Sequence, residues 1–82
     1  GGYSMEKEIV GMRSYDFRDQ RGQDVQGYTL YLQWKDENVA GVACESISIS
    51  LAKLGGYDPA LGDVVRVGYN RYGKVDFVLP VA

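Results

Sequence analysis

The stretch YNRYGK, residues 69–74, sets two tyrosines around an arginine and closes with a glycine and a lysine. Aromatic rings beside cations are the pairing that binds single-stranded nucleic acid. The rings stack on bases of any type, and the cations follow the phosphates. Tyr72 and Gly73 fall where a hairpin tip is expected, and a ring at a tip has little of its own domain to cover. A second basic stretch, RDQRGQ, begins at Arg18. The candidate binding residues are Arg13, Tyr15, Arg18, Arg21, Tyr28, Tyr31, Tyr69, Arg71, Tyr72 and Lys74. Asp16, Asp19 and Asp24 lie among the arginines, so binding is expected to be moderate and sensitive to salt.

Other chemistries lack their residues. The chain has no histidine and a single cysteine, Cys44, which removes the usual zinc sites and the Cys–His nucleophile pair. Neither a G-x-S-x-G elbow nor a P-loop is present. Asp16 and Asp19 read as solvated turn residues rather than an acid–base pair. DENVAG is too short for a calcium loop. The chain therefore reads as a non-enzyme without metal or cofactor. Nine lysines and arginines against 11 aspartates and glutamates leave a net charge of −2, so any basic surface must be local.

The elements that must position these residues read as all-β. At 82 residues the chain reads as one small domain, residues 5–82, preceded by GGYS, which looks like a leader left from expression. A first strand is expected from about Lys7 to Phe17, then a long polar loop, RDQRGQDVQG. YTLYLQW alternates, with Tyr28, Leu30, Leu32 and Trp34 on one face and Thr29, Tyr31 and Gln33 on the other. After a KDEN turn, VAGVACESISIS changes phase. A bulge near Cys44–Glu45 would put both Cys44 and the two isoleucines, Ile47 and Ile49, in the core. SLAKL predicts one helical turn ended by Gly55 and Gly56, and DPALGD a turn at Pro59. VVRVGY and VDFVLPV complete the strands, joined by NRYG, with Phe77 and Trp34 expected in the core. Five strands and a helical turn between the third and fourth predict a five-stranded OB-like Greek-key barrel, with an SH3-like barrel as competitor.

Three stretches resemble the filamentous-phage gene V type of single-stranded-DNA-binding protein and similar small proteins of conjugative elements and plasmids. FRDQRGQDVQGYTL (17–30) is similar to the family's DNA-binding wing, YDPALG (57–62) to its turn before strand four, and RYG (71–73) to its aromatic hairpin tip. The resemblance implies an OB-like fold, a two-fold dimer and cooperative coating of single strands. It implies phosphate contacts from Arg18 and Arg21 and base stacking by Tyr28 and Tyr72. A cytoplasmic place in phage or mobile-element DNA replication or transfer is the matching expectation, with no membrane partner. RNA in place of DNA, and a protein-interaction module using an open barrel edge, are the competing readings.

Overall fold

The computed structural model describes residues 5–81; GGYS, the expected leader, and residue 82 lie outside the described residues. The strands are β1 (Met5–Arg18), β2 (Asp24–Trp34), β3 (Ala43–Ser50), β4 (Val64–Tyr69) and β5 (Val75–Pro80), with one helical turn, α1 (Leu51–Leu54). They form one antiparallel sheet in the order β3-β2-β1-β4-β5. Among the described residues no ladder joins the edge strands β3 and β5, although the sheet curls enough to bring them near one another.

The inner face is apolar. Ile9, Leu30, Leu32, Ile47, Ile49, Val65, Val67 and Val78 are buried there, and Leu54 of α1 joins them. Burying each such side chain contributes about 1.5–3 kcal/mol. α1 forms because the Ser50 hydroxyl accepts the Lys53 N–H at 3.4 Å and Gly55 takes the left-handed conformation that ends a helix. Lys53 Nζ then donates to the Val75 carbonyl at 3.3 Å, tying the turn to β5. Leu54 thus fills the gap between the two unpaired edges.

Two irregularities set which side chains face in. Ile9 pairs with Leu32 and Gly11 with Tyr31, so Val10 is an extra residue in β1. Gly68 pairs with Phe77 and Tyr69 with Val75, so Asp76 is extra in β5. The second bulge overturns the expectation that Phe77 is core. Val75 and Val78 turn inward, while Phe77 and Leu79 turn out and are 36% and 53% exposed. β3 carries no bulge. It pairs in unbroken register from Ala43 to Ser50, so Ile47 and Ile49 face in, and Cys44 is exposed rather than core. The polar loop after β1 is shorter than expected. β2 begins at Asp24, and only residues 19–23 form the turn.

The extra strand length makes β1–β2 a projecting hairpin. β1 pairs with β4 only as far as Glu8, and β2 pairs with β3 only from Gly27 onward. Residues 16–18 and 24–26 therefore pair only with each other. The radius of gyration of 13.6 Å, against about 12 Å for a compact chain of this length, and a long axis of 45 Å reflect that projection.

A polar cluster closes the other end. Lys7, only 7% exposed, reaches across the inner face to Glu45 at 2.7 Å and to the Tyr69 hydroxyl at 3.1 Å. Its ammonium sits 4.0 Å from the centre of the Trp34 ring. The Tyr69 hydroxyl donates to Glu45. These residues belong to β1, β2, β3 and β4, and the cluster ties β3 to β1 and β4, with which it shares no ladder among the described residues. Trp34, expected in the core, is half-buried at its rim because this cation occupies its face.

Burial pulls the Lys7 ammonium down, but its bonds to Glu45 and Tyr69 outweigh that and hold its pKa above 10.5. Burial and the bond to Glu45 raise the Tyr69 pKa above 10.0 against the opposing pull of Lys7. Tyr57, partly buried and donating to Asp63 Oδ2 at 2.5 Å, is raised in the same direction. All three hold protons more tightly folded than unfolded. Their stabilisation is complete below pH about 10 and is lost as pH rises through the folded values. Urea melts from pH 8 to 12 are predicted to show stability falling only above pH 10, with Tyr57→Phe reducing the fall. Glu45→Ala, which strips the buried ammonium of its counter-ion, is predicted to cost about 3 kcal/mol at pH 7 by the same melts.

Candidate nucleic-acid interface

Beyond Val10 the phase of β1 reverses, and Arg13, Tyr15 and Phe17 face outward. Cross-strand pairing sets Arg13 beside Thr29, Tyr15 beside Gly27, Phe17 beside Val25 and Gly11 beside Tyr31. On β3, Ser48 lies beside Thr29 and Ser46 beside Tyr31. The outer face thus carries a diagonal of three rings, Phe17, Tyr15 and Tyr31, with Arg13 on the rung between those of the two tyrosines. Successive same-face residues are about 7 Å apart along a strand. Tyr15 and Phe17 stand with ring centres 6.0 Å apart, tilted by 37°. A hydroxyl pair, Thr29 Oγ1 and Ser48 Oγ, shares a 3.2 Å hydrogen bond beside them.

Glycines let two of the rings lie against the sheet. A Cβ on Gly27 would collide with the Tyr15 ring and the Ile49 carbonyl. One on Gly11 would stand 3.1 Å from the Tyr31 ring. Each ring covers a bare stretch of backbone on the strand opposite, a pairing that stabilises glycine within a sheet. Phe77 repeats the arrangement over Gly68 on β4–β5. Tyr31 stays 41% exposed and Phe17 55%, leaving faces open to solvent. A shallow groove beside Tyr31, lined by Val10, Cys44 and Ser46, extends the apolar surface.

The two hairpin tips are built alike. Asp19 Oδ1 accepts the N–H groups of Arg21 and Gln23, each at 2.9 Å, and Asn70 Oδ1 accepts those of Tyr72 at 2.9 Å and Lys74 at 3.0 Å. In both, the backbone of the first residue closes on the fourth and fifth, and the fourth is a glycine at positive φ, Gly22 at 81° and Gly73 at 76°. Asp19 and Asn70 are therefore turn-builders. The first tip presents Arg21. The second presents Arg71 and Tyr72, with the guanidinium carbon 5.2 Å from the ring centre. Tyr72 is 73% exposed, more than any other aromatic side chain described. β4 runs antiparallel to β1, so the two tips stand at opposite ends of the sheet.

The expected site residues thus fall into four places. Arg13, Tyr15 and Tyr31 share the outer face. Arg18 and Arg21 sit at the near tip, where Arg18 is drawn to Asp24 at 3.5 Å. Arg71, Tyr72 and Lys74 form the far tip. Tyr28 lies on the opposite face of β2, half-buried against the core, and the Tyr69 hydroxyl is bound to Lys7 and Glu45. Among the described residues, Arg13, Arg21, Arg71 and Lys74 make no ion pair. Phe17 was not among the expected residues. Its signal is the alternation Arg13–Tyr15–Phe17, which gives all three one face of a strand.

Comparison of the chain with known protein families, with curated proteins and with solved structures finds no match. The likeness to the gene V type rests on the quoted stretches alone.

If Tyr15 is held by the bare backbone at Gly27, Gly27→Ala must displace it. The variant is predicted to lose about 1–3 kcal/mol in urea melts. Tyr15→Ala in the same chain is predicted to recover part of that loss, and a strictly additive double variant would refute the contact.

Proposed function

We propose that the chain binds single-stranded nucleic acid, with DNA the first candidate, by stacking bases on Tyr31, Tyr15 and Phe17 and holding phosphates with Arg13 and the tip cations. The observation that carries this reading is the outer face itself. It sets three rings on one face, Tyr31 and Phe17 exposed and Tyr15 half-buried, with Arg13 on the rung between the two tyrosines, and the acid of that face on β1, Glu8, is engaged by Gln33 at 2.9 Å. Buried rings would serve the core. Exposed rings supported by glycine serve a planar ligand.

The finer architecture belongs to this proposal. A sheet in the order β3-β2-β1-β4-β5, curled until its edges approach and plugged by α1, fits an OB-like barrel. Such barrels bind oligonucleotides on the face of strands two and three, between the loops that follow strands one and four. Here those loops are the twin tips. The rings accept any base, so stacking on them is independent of sequence. A two-fold dimer would bring a far tip, with Tyr72, to the outer face of its partner.

A second reading has its own support. β5 is an edge strand whose outward side chains Phe77 and Leu79 are exposed, as an assembly module would need. Salt separates the two. Titrating fluorescent oligo-dT and its duplex counterpart at low and moderate salt is predicted to show single-strand preference. With three or four phosphates neutralised, log K should fall against log salt with a slope of about −2 to −3. Tyr31→Ala is predicted to weaken binding by about 1–3 kcal/mol. Absence of binding at low salt would overturn the proposal. Unchanged binding by Tyr72→Ala would remove the far tip from it.

A further inference from the structure

The hairpin has a second face. Turned away from Arg13, Tyr15 and Phe17, cross-strand pairing brings Ser14 beside Tyr28 and Asp16 beside Gln26. Leu51, the first residue of α1, closes the far side and is 44% exposed. Together with Tyr15 and Gly27 they line a groove of about 220 Å³. Tyr28 and Leu51 supply apolar walls, and Ser14, Asp16 and Gln26 a polar rim. A flat ligand with apolar faces and a hydrogen-bonding edge matches that distribution, and a nucleobase is such a ligand.

The rim is specific about which base. Gln26 Nε2 donates to Asp16 Oδ2 at 3.3 Å. That leaves Asp16 Oδ1, a further lone pair on Oδ2 and the second amide hydrogen of Gln26 available, giving two acceptors followed by one donor. Among the common bases only guanine offers the complement on one edge, with N1–H and the 2-amino group as adjacent donors and O6 as acceptor beside them. Cytosine and adenine each present a single donor group beside an acceptor, and thymine a single donor between two carbonyls.

We propose that this groove is a guanine-reading subsite, with the Asp16 carboxylate accepting from N1–H and the 2-amino group and the Gln26 amide donating to O6. The inference rests on the single-strand reading above and gives it a base preference that the rings alone lack. A strand can reach both faces. β1 meets β4 only to Glu8, and Ile9 is bonded to Gly62 and Asp63, but from Val10 onward the edge of β1 away from β2 carries no partner strand among the described residues. A strand lying on the outer rings crosses that open edge to place one base in the groove.

The test compares fluorescent oligo-dT with the same strand carrying one central guanine or one central inosine, against the unaltered chain and Asp16→Asn. Asp16 is exposed, so the substitution does not disturb the core. One guanine is expected to tighten binding about tenfold. Inosine, lacking the 2-amino group, gains less, and Asp16→Asn binds all three strands alike with the oligo-dT affinity retained. Equal binding of the guanine and thymine strands by the unaltered chain, or a preference that survives in Asp16→Asn, would overturn the subsite while leaving the single-strand reading intact. Failure of every strand to bind would overturn that reading. In that case an NMR titration with guanosine monophosphate decides the groove separately. Shifts confined to the Gln26 side-chain amide and the Tyr28 ring support it, and unmoved signals there dismiss it.

Discussion

Ile9 pairs with Leu32 and Gly11 with Tyr31, which leaves Val10 between two rungs of the ladder with nothing opposite. The rest of the molecule depends on that extra residue. Before it, Lys7 and Ile9 face the core; after it, Met12 does, and Arg13, Tyr15 and Phe17 turn outward. In an unbulged strand every odd-numbered residue from 7 to 17 would share one face, because the side-chain period is two. The rings would then compete with Ile9 for the core side. The bulge lets one long strand serve the core with its first half and the solvent with its second.

The outward half remains ordered although it projects, and its means are local. Glycines under Tyr15 and Tyr31 convert exposed rings into cross-strand contacts. The tip is held by the Asp19 side chain rather than by packing. The acids of the hairpin, a source of opposing charge in the sequence, have structural partners. Asp19 builds the turn, Asp24 meets Arg18, and Asp16 meets Gln26. Arg13 and Arg21 are thereby left outside the pairing.

At the opposite end the problem is an open edge, and a buried charge solves it. Glu45 of β3 meets Lys7 of β1 and Tyr69 of β4, strands with which β3 forms no ladder among the described residues, and the Trp34 ring shields the ammonium. An apolar plug would close the gap equally well in energy. The polar one brings β3 and β4 to the same point on β1, where Glu45 and Tyr69 both accept from Lys7. α1 does the same work on the other side through Leu54 and Lys53.

Local chemistry was legible in the chain. The existence of five strands and their succession along the chain followed from alternation, α1 from Ser50 and Gly55, and the second tip from Asn70 and Gly73, because propensity, capping and turn residues act over a few positions. The regular parity of β2 was read correctly for the same reason. Phase across irregular strands was not legible. Cys44 and Phe77 were expected inside and lie outside, since the bulges sit in β1 and β5 rather than β3. A bulge is decided by which rung pairs with which on a distant strand, and one residue of slip inverts every side chain after it. The same limit applies to the candidate site. Ring and cation types were visible from residue 13 to 74, but only the tertiary pairing separated Tyr28 from Tyr31, tied up Tyr69 in the Lys7 cluster and joined Phe17 to Tyr15.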